Sequence, residues 1–405
     1  MALKQLDYYR VKLHILSPIH VGTGQELDPF SFVIHDNQLY LFDLIKWIDL
    51  YPEKNELYSM MDSDNFAQVR SFIAENLDID KTVICSIPVE SQDLLKTYKR
   101  AIQERDPSNQ VLINPMPRNE VRAVAYIPGS SIKGAIRTAI ANRFVKAAAV
   151  TAEDSRRGRG YYDEKIFGRI FEDPMRLLKV SDVPLADSGT TIVEASEFSL
   201  NPDKSSTPKG HVEVAQNLCL SKKEITYALR FSMAPFEMHG KLVNLEFLLD
   251  SLYRFYVPKY EEEFLKFYEP QRAAAIRKGI APMNQVVEGL KTNETILRMG
   301  HFSHVECVTL DGVRKPRTRR GNDGRPLPWG TTRTLANGLY PFGWAKLEFL
   351  DLDSVPRPKR EWAFLSGKEK FSDSKTGKLK SQHGESEKKM PSLQSLKSLQ
   401  DKWKK

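Results

Sequence analysis

The sequence predicts an α+β fold, because segments with the two-residue period of a strand alternate with segments of helical periodicity. The first strand pattern runs from Tyr9 to Ile15, where every second residue is apolar. The most helical stretch is the alanine-rich segment from Ser130 to Val150. No repeat of roughly 20–50 residues is visible, so we do not expect a solenoid or a propeller.

The first half of the chain predicts a strand, a hairpin and helices, in that order. Residues 31–34 and 39–42 have strand patterns separated by a turn sequence, which predicts a β-hairpin. Asp43 is placed to cap a helix over the residues that follow, and helical pattern continues to about residue 75.

The second half predicts further strands and one long helix. Residues 121–127 predict a strand that ends at Pro128, with Ser130 or Ser131 as the N-cap of the alanine-rich helix. Residues 242–268 predict a helix interrupted near Pro258. Strands are expected at 177–183, 211–220 and 224–232, and short elements around 295–300, 307–311 and 344–350.

Composition divides the chain into a body, 1–365, and a tail, 366–405. The tail holds eleven Lys and five acidic residues, a net charge of +6, and has few apolar residues. We therefore expect it to be disordered. In the body we expect core strands and helices at about 7–50 and 120–350, and a helical insertion at about 50–115.

The composition also excludes several protein classes. No apolar run approaches the roughly 18–20 residues that span a bilayer, and the first residues lack the apolar block of a signal peptide. The three cysteines are odd in number and form no CxxC pair, which argues against disulfides and structural zinc. We expect a cytoplasmic protein without a membrane partner, a metal or a cofactor.

Positive charge in the body is concentrated in a few segments. The whole chain carries +8, so the body carries only +2. Arginine-rich runs occur at 155–160 and 314–320, next to Gly or Pro. Between 117 and 146 a single acid accompanies six basic residues: Arg118, Arg122, Lys133, Arg137, Arg143 and Lys146. A charge run is often only a solvated face, but this pattern favours contacts with a phosphate backbone.

The sharpest motif is IPGSSIKGAIRTAI, residues 127–140. Free backbone N–H groups at a helix start favour an anion, and Lys133 and Arg137 lie on one helix face. Gly134 permits close approach of a ligand backbone. The motif is not a P-loop, because the lysine precedes the glycine and no Ser or Thr follows. From composition alone, a well-capped helix with only a structural role is an equally good interpretation of this motif.

A second motif, residues 17–29, contains two glycines, Gly22 and Gly24, after the first strand. His20, Glu26 and Asp28 add groups that could form a catalytic or metal site. They lack a ligand spacing such as HExxH, and an Asp in a Pro-containing turn needs no catalytic explanation.

A third region, residues 297–349, interleaves glycines, aromatic residues and arginines. Aromatic rings and arginine planes can stack on bases while positive charge faces phosphates, so this mixture suits single-stranded nucleic acid. For the segment 340–349 alone, a buried strand is the better interpretation. The candidate contacts here are Arg298, His301, Arg314, Arg317 and Arg333.

Taken together, these motifs resemble the RAMP superfamily of CRISPR proteins. The resemblance lies in the strand leading to SPIHVGTG at 17–24, in IPGSSIKGAIRTA, and in GLYPFGWAKLEF at 338–349. DPMRLLKVSD at 173–182 and LRMGHFSH at 297–304 fit the same family. Within the superfamily the chain looks like the fifth subunit of type III-A Csm interference complexes. The motifs span residues 9 to about 350, and the tail is not covered.

The resemblance implies a ferredoxin-like, RNA-recognition-motif-like sheet with large insertions. It implies a non-catalytic subunit that caps the 3′ end of the guide RNA and supports guide maturation and antiviral interference. The partners would be guide and target RNA, other backbone subunits of the complex and a recruited host nuclease. It assigns RNA contacts to the first glycine-rich loop, at Gly22 and Gly24, and to a helix start formed by Gly129, Ser130, Ser131, Lys133, Gly134 and Arg137.

Two other hypotheses stay open at this stage. One is an endoribonuclease that trims guide RNA or cuts target RNA through His20, Glu26 or Asp28 of the 17–29 loop. The other is a scaffold that recruits a nuclease through exposed loops and the tail.

Overall fold

Helices and strands both contribute extensively to the chain, so the predicted α+β class is confirmed. The computed structural model describes residues 5–61, 66–103, 111–157, 159–201, 203–314 and 329–358. The tail and Arg317 lie outside the described residues.

The elements follow one another along the chain in a mixed order. The strands are β1 (Asp7–Ile15), β2 (Phe32–His35), β3 (Gln38–Phe42), β4 (Val83–Pro88), β5 (Ile113–Asn114), β6 (Tyr126–Ile127), β7 (Leu178–Val180), β8 (Val183–Pro184), β9 (Thr190–Ser199), β10 (Thr207–Ala215), β11 (Thr226–Met233), β12 (Phe236–Met238), β13 (Lys241–Val243), β14 (Glu294–Arg298), β15 (Thr332–Ala336), β16 (Tyr340–Pro341) and β17 (Trp344–Phe349). The α-helices are α1 (Leu44–Leu50), α2 (Lys54–Met61), α3 (Phe66–Asn76), α4 (Ile79–Thr82), α5 (Gln92–Gln103), α6 (Gly129–Phe144), α7 (Ala152–Arg157), α8 (Arg159–Phe167), α9 (Leu218–Ser221), α10 (Leu245–Glu263), α11 (Ala274–Glu288) and α12 (His304–Val308).

The central sheet has five antiparallel strands in the order β14-β17-β1-β11-β7. Its middle strand, β1, is the strand that the alternating apolar residues predict. Val11, Leu13 and Ile15 are buried, and Val11 lies opposite Leu229 on β11 and Phe349 on β17. Because side chains alternate across a strand, one face of this sheet builds the main core. Helices α6 and α10 pack against each other and against the strands β7 and β14.

Two short antiparallel pairs, β12-β13 and β6-β8, also form. The described body further contains a second sheet, β16-β15-β9-β10-β5, and a three-stranded sheet, β2-β3-β4. An isolated parallel bridge between Val89 and Ile192 joins the two. A second bridge, from Ile19 to Ala215, ties the loop after β1 to β10. The insertion at 50–115 is not purely helical as expected, since β4 lies within it and pairs with β3.

The predicted hairpin and helix cap are confirmed. Asp36 and Asn37 both have positive φ, 48° and 60°, as a two-residue turn of type I′ requires. The Asp43 side chain accepts a hydrogen bond from the Lys46 N–H and caps α1. These signals are local, which explains why the sequence predicts them well.

Three predictions of secondary structure are wrong. Of the strand predicted at 121–127 only β6, Tyr126–Ile127, forms. The Asn119 side chain accepts hydrogen bonds from the N–H groups of Val121 and Arg122 and holds the preceding residues in a turn. The strand predicted to reach residue 220 ends at Ala215, because Asn217 caps α9. Helix α10 continues through Pro258, and a π-helix, Phe264–Tyr268, follows it.

The start of α6 also differs from the prediction, because neither Ser130 nor Ser131 caps it. The helix begins at Gly129, and Pro128 is its N-cap without a side-chain hydrogen bond. The carboxylate of Asp182 accepts a hydrogen bond of 2.7 Å from the Gly129 N–H. An acidic side chain from the connection between β7 and β8 thus satisfies the first N–H of the helix.

The hydropathy of the described helices was compared with that of membrane-spanning helices. None of them combines the length and the apolarity that crossing a membrane requires.

Substitution by alanine should have opposite effects on stability at two glycines of α6. A Cβ at Gly129 would lie 2.3 Å from the Val180 carbonyl oxygen, whereas a Cβ at Gly134 would meet no atom within 4 Å. Gly129→Ala should cost roughly 1–3 kcal/mol by overpacking. Gly134→Ala should gain up to about 1 kcal/mol from helix propensity. Urea unfolding of both variants checks this, and a stabilising Gly129→Ala would contradict the packing described.

Candidate nucleic-acid interface

A cleft of about 590 Å³ opens between the first glycine-rich loop, helix α6 and the segment that follows β14. It brings together six of the residues predicted as RNA contacts: Gly22, Gly24, Ser131, Gly134, Arg298 and His301. The cleft is therefore the candidate site that the structure assembles from the sequence motifs.

One wall of the cleft is a stripe of small residues on α6. Ser131, Gly134, Ala135 and Thr138 line it, at the spacing that places them on one helix face. No atom lies within 4 Å of the position that a Cβ of Gly134 would take. The helix backbone is thus accessible there, and a ligand backbone can approach it closely.

The opposite wall is the first glycine-rich loop, which His20 anchors. His20 is buried, its Nδ1 lies 2.7 Å from the Glu213 carbonyl oxygen, and burial lowers its pKa. The His301 N–H donates a 2.9 Å hydrogen bond to the His20 carbonyl oxygen. Gly300 makes this contact possible, because a Cβ there would lie 2.4 Å from the same oxygen. The first glycine-rich loop and the segment after β14 are therefore joined through the backbone.

Two adjacent rings, His301 and Phe302, stand at the edge of the cleft. Their centroids are 4.6 Å apart in an edge-to-face arrangement, and Phe302 rests against Phe342 at 4.6 Å. His301 is exposed, whereas Phe302 is half-buried. A braced ring pair of this kind can stack on an unpaired base without selecting its sequence.

The cleft wall carries little net charge, because its two cations, Lys209 and Arg298, each pair with a carboxylate outside the lining. Its described lining includes Lys209 and Arg298 and contains no Asp or Glu. Lys209 is partly exposed and lies 3.3 Å from Glu197, which itself does not line the cleft. A phosphate in the cleft would therefore meet no carboxylate in its immediate wall.

Lys133 and Arg137 do lie on one helix face, as expected, but that face packs away from the cleft. Lys133 Nζ donates a 2.8 Å hydrogen bond to the Leu178 carbonyl oxygen, and burial lowers its pKa. Arg137 pairs with Asp163 and Asp173 at 3.2 and 2.6 Å. These cations fasten α6 to its neighbours in this structure, so the RNA contact expected of them stays a prediction that the cleft geometry does not support.

The helix start is likewise no open cradle for a phosphate. The Gly129 N–H already donates a hydrogen bond to the Asp182 carboxylate, and the negative charge of that carboxylate would repel a second anion. Gly129 is buried, and Ser130 is exposed but outside the cleft. Arg122 is exposed on the 119–123 turn and is also outside the cleft.

Arg298 and Arg333 belong to a buried ion network around Glu263. Glu263 Oε2 accepts hydrogen bonds from Arg298 and, at 3.0 Å, from Arg333 Nε. Burial acts to raise the pKa of Glu263, but the two guanidinium charges hold it at about 2. Arg333 is 4% exposed, so its predicted RNA contact is corrected to a structural role. Arg298 is also buried, although it forms part of the cleft floor.

Arg314 is held in an ion pair as well. Its guanidinium bonds to Asp311, which also accepts a 2.7 Å hydrogen bond from Lys259. Arg314 also donates a hydrogen bond to the Glu306 carbonyl oxygen of α12, and it does not line the cleft.

Several lining residues were not predicted from the sequence. Thr138 belongs to the small-residue stripe on α6, and its helical spacing was a usable signal. Asn114 and Lys209 come from the second sheet, whose position relative to α6 no local pattern reveals.

The candidate nuclease residues of the 17–29 loop do not converge. The Asp28 carboxylate accepts a 2.9 Å hydrogen bond from the Phe30 N–H and shapes a turn. Glu26 is exposed, and His20 is buried. Within the described ranges, no three His, Cys, Asp or Glu residues are grouped closely enough to hold a metal ion.

Comparison with protein families places the chain in a known class. The family model "RAMPs: RAMP superfamily" matches residues 12–297, which is more than half of the chain. The chain belongs to the RAMP superfamily.

Individual relatives agree with this assignment. Two curated proteins described as "CRISPR system Cms protein Csm5" match the chain. The one from Streptococcus thermophilus is 25% identical over 221 residues, and the one from Methanocaldococcus jannaschii is 26% identical over 133 residues. These alignments cover 49% and 32% of this chain, and 58% and 29% of the relatives. The chain therefore matches only part of each relative.

Solved structures show a similar fold. A chain of a Csm–crRNA–target RNA ternary complex from a type III-A CRISPR–Cas system superposes with a TM-score of 0.56 and 21% identity. That match covers 85% of this chain and all of the other. The crystal structure of T. onnurineus Csm5 gives a TM-score of 0.51 at 19% identity, covering 82% and 99%. At these identities the matches establish the fold.

The Glu263 network predicts a large loss of stability when its carboxylate is removed. Glu263→Ala leaves two buried guanidinium groups without their common partner, which should cost about 3–5 kcal/mol. The matched control is Glu153→Ala, which breaks an exposed 2.9 Å pair with Arg156 and should cost less than about 1 kcal/mol. Urea unfolding measures both, and equal midpoints for the two variants would contradict the network's role.

Proposed function

We propose that the protein is a guide-RNA-binding subunit of a type III-A Csm complex and holds the RNA backbone in the cleft described above. The family match, the Csm5 relatives and the fold of a Csm complex chain support this proposal. The observation that carries it is the cleft itself, where an open helix backbone, a ring pair and a lining without carboxylates meet.

The cleft chemistry suits a protein that carries a guide. Such a protein must grip backbone and shape while it leaves base edges free to pair with a target. Small residues on α6 admit a sugar–phosphate chain, and the rings stack on a base of any identity. In the proposed assembly the subunit caps the 3′ end of the guide and supports its maturation and antiviral interference.

The proposed partners, besides guide RNA, are target RNA and the other backbone subunits of the complex. Target RNA would pair with the held guide, and other backbone subunits would continue the RNA track. Recruitment of a host nuclease through the tail remains a prediction, and the tail lies outside the described residues.

We further propose that the subunit is not itself a nuclease. Asp28 is engaged in a turn, and His20 is buried against the Glu213 carbonyl group. A general base must reach the proton that it removes. Asp28 does not line the cleft, and His20, which lies there beside His301, is buried with its Nδ1 against the Glu213 carbonyl oxygen.

Filling the cleft should release guide RNA. Gly134→Leu projects a side chain into the open space, and we expect roughly tenfold less RNA to co-purify with the complex, as a loss of ~1.4 kcal/mol would give. Gly134→Ala adds only a methyl group and should lose less RNA than Gly134→Leu. Ser130→Leu introduces the same side chain at an exposed position outside the cleft and should retain RNA. RNA per complex is measured by ultraviolet absorbance and labelled-end electrophoresis. Wild-type occupancy in Gly134→Leu would exclude the cleft as the guide site.

The non-catalytic proposal predicts unchanged RNA processing in loop variants. Asp28→Asn keeps the oxygen that accepts from the Phe30 N–H, and Glu26→Gln alters only an exposed side chain. The assembled complex with either variant should show wild-type guide lengths and target cleavage products on a sequencing gel. Loss of a cut with intact assembly would assign nuclease activity to this loop.

A further inference from the structure

The central sheet has a second, solvent-exposed face. A groove of about 1260 Å³ runs over β1, β11 and β7, opposite the side chains that build the main core. The side chains that define this open sheet face are Tyr8, Arg10, Lys12, Lys179 and Arg230. It shares no lining residue with the cleft.

The strand register places like charges side by side on this face. Arg10 on β1 lies directly opposite Arg230 on β11, and like charges in that position destabilise a sheet. Lys179 on β7 is opposite Ser232, which in turn is opposite Tyr8. An anionic ligand lying across the strands would offset this repulsion.

Most of the positive charge is not neutralised within the described part of the chain. Arg10 pairs with Asp351 at 2.6 Å, whereas Lys12, Lys179 and Arg230 form no ion pair with another described residue. All three are exposed.

The acids near the groove have other partners. Asp182 accepts from the Gly129 N–H, while Glu224 and Glu348 lie 2.6 and 2.8 Å from the two ring nitrogens of His14. Four cations therefore line the groove beside two carboxylates, Asp182 and Glu224, each of which is hydrogen-bonded to another group.

The open sheet face also carries an exposed aromatic ring. Tyr8 is 79% exposed, at the end of β1 beside the cations. The cores of protein interfaces are depleted of charge, whereas the five side chains that define this face are four cations and one aromatic ring. Spaced cations with an exposed ring on an antiparallel sheet instead match single-stranded nucleic acid.

We propose that the open sheet face is a second nucleic-acid site, which binds the sugar–phosphate backbone of single-stranded RNA and stacks one base on Tyr8. Two sites on one subunit would let it hold one RNA segment in the cleft and another across the sheet.

Charge reversal tests the site on the purified full chain with labelled hexauridylate as the probe. We expect two oligonucleotides per wild-type chain and one for Lys12→Glu/Arg230→Glu. The affinity at the sheet should fall at least tenfold, and the slope of log K against log salt should decrease by about 1.4, at ~0.7 per lost phosphate contact. The control Lys96→Glu/Lys99→Glu makes the same charge change on exposed residues of α5 and should bind like wild type. Unchanged stoichiometry in the first variant would overturn the proposal, and so would an equal loss in the control.

Two further variants separate stacking from charge and the sheet from the cleft. Tyr8→Ala should weaken binding at the sheet about tenfold, as loss of one stacked base does, whereas Tyr8→Phe should retain it. Gly134→Leu should abolish only the other site. If Gly134→Leu changes nothing while the sheet variants lose one oligonucleotide, the cleft assignment fails and the sheet site stands. If Tyr8→Ala binds like wild type, the stacking part of the proposal is overturned.

Discussion

A single buried carboxylate connects the parts of the protein that form the cleft. Glu263 lies at the end of α10 and accepts hydrogen bonds from Arg298 on β14, from Arg333 on β15 and from the Tyr268 hydroxyl. Because β14 belongs to the central sheet and β15 to the second sheet, this one side chain ties both sheets to the long helix. Burying three charges is costly, and the geometry compensates for it only while all the partners are present.

The network also sets the position of the cleft wall. Arg298 Nε donates a 2.9 Å hydrogen bond to the Phe342 carbonyl oxygen, and the Met299 N–H bonds to the Gly343 carbonyl oxygen. The chain from residue 299 onwards is therefore directed towards His20 and towards the rings at the cleft edge. The late glycine-rich segment supports the site from behind, since the Gly343 N–H bonds to the Pro18 carbonyl oxygen.

Helix α6 shows how one motif can serve two purposes on different faces. Lys133 and Arg137 bind protein groups, and the stripe through Gly134 faces the cleft. The sequence motif concentrates basic residues and a glycine, but it does not reveal which face each neighbour covers. In this helix the small residues, rather than the cations, form the candidate contact surface.

Local signals in the sequence predicted local structure well. The alternation in β1, the turn at Asp36 and Asn37 and the cap at Asp43 each depend on neighbouring residues, and all three are confirmed. Burial of Arg298 and Arg333 depends on Glu263, which is far away in the chain, and no spacing rule connects them. For the same reason Asn114 and Lys209 were not predicted as cleft residues, since they reach it only through pairing in the second sheet.

The central claim is that guide RNA lies in the cleft between the glycine-rich loop, α6 and the segment after β14. The most direct measurement is photo-crosslinking of the assembled complex with guide RNA that contains 4-thiouridine, followed by mass spectrometry of the linked peptides. If guide RNA lies in the cleft, crosslinks are expected in peptides that contain His301 and Phe302 and in the loop around Gly22. Crosslinks confined to the face of α6 that carries Lys133 and Arg137, with none at the cleft, would contradict it.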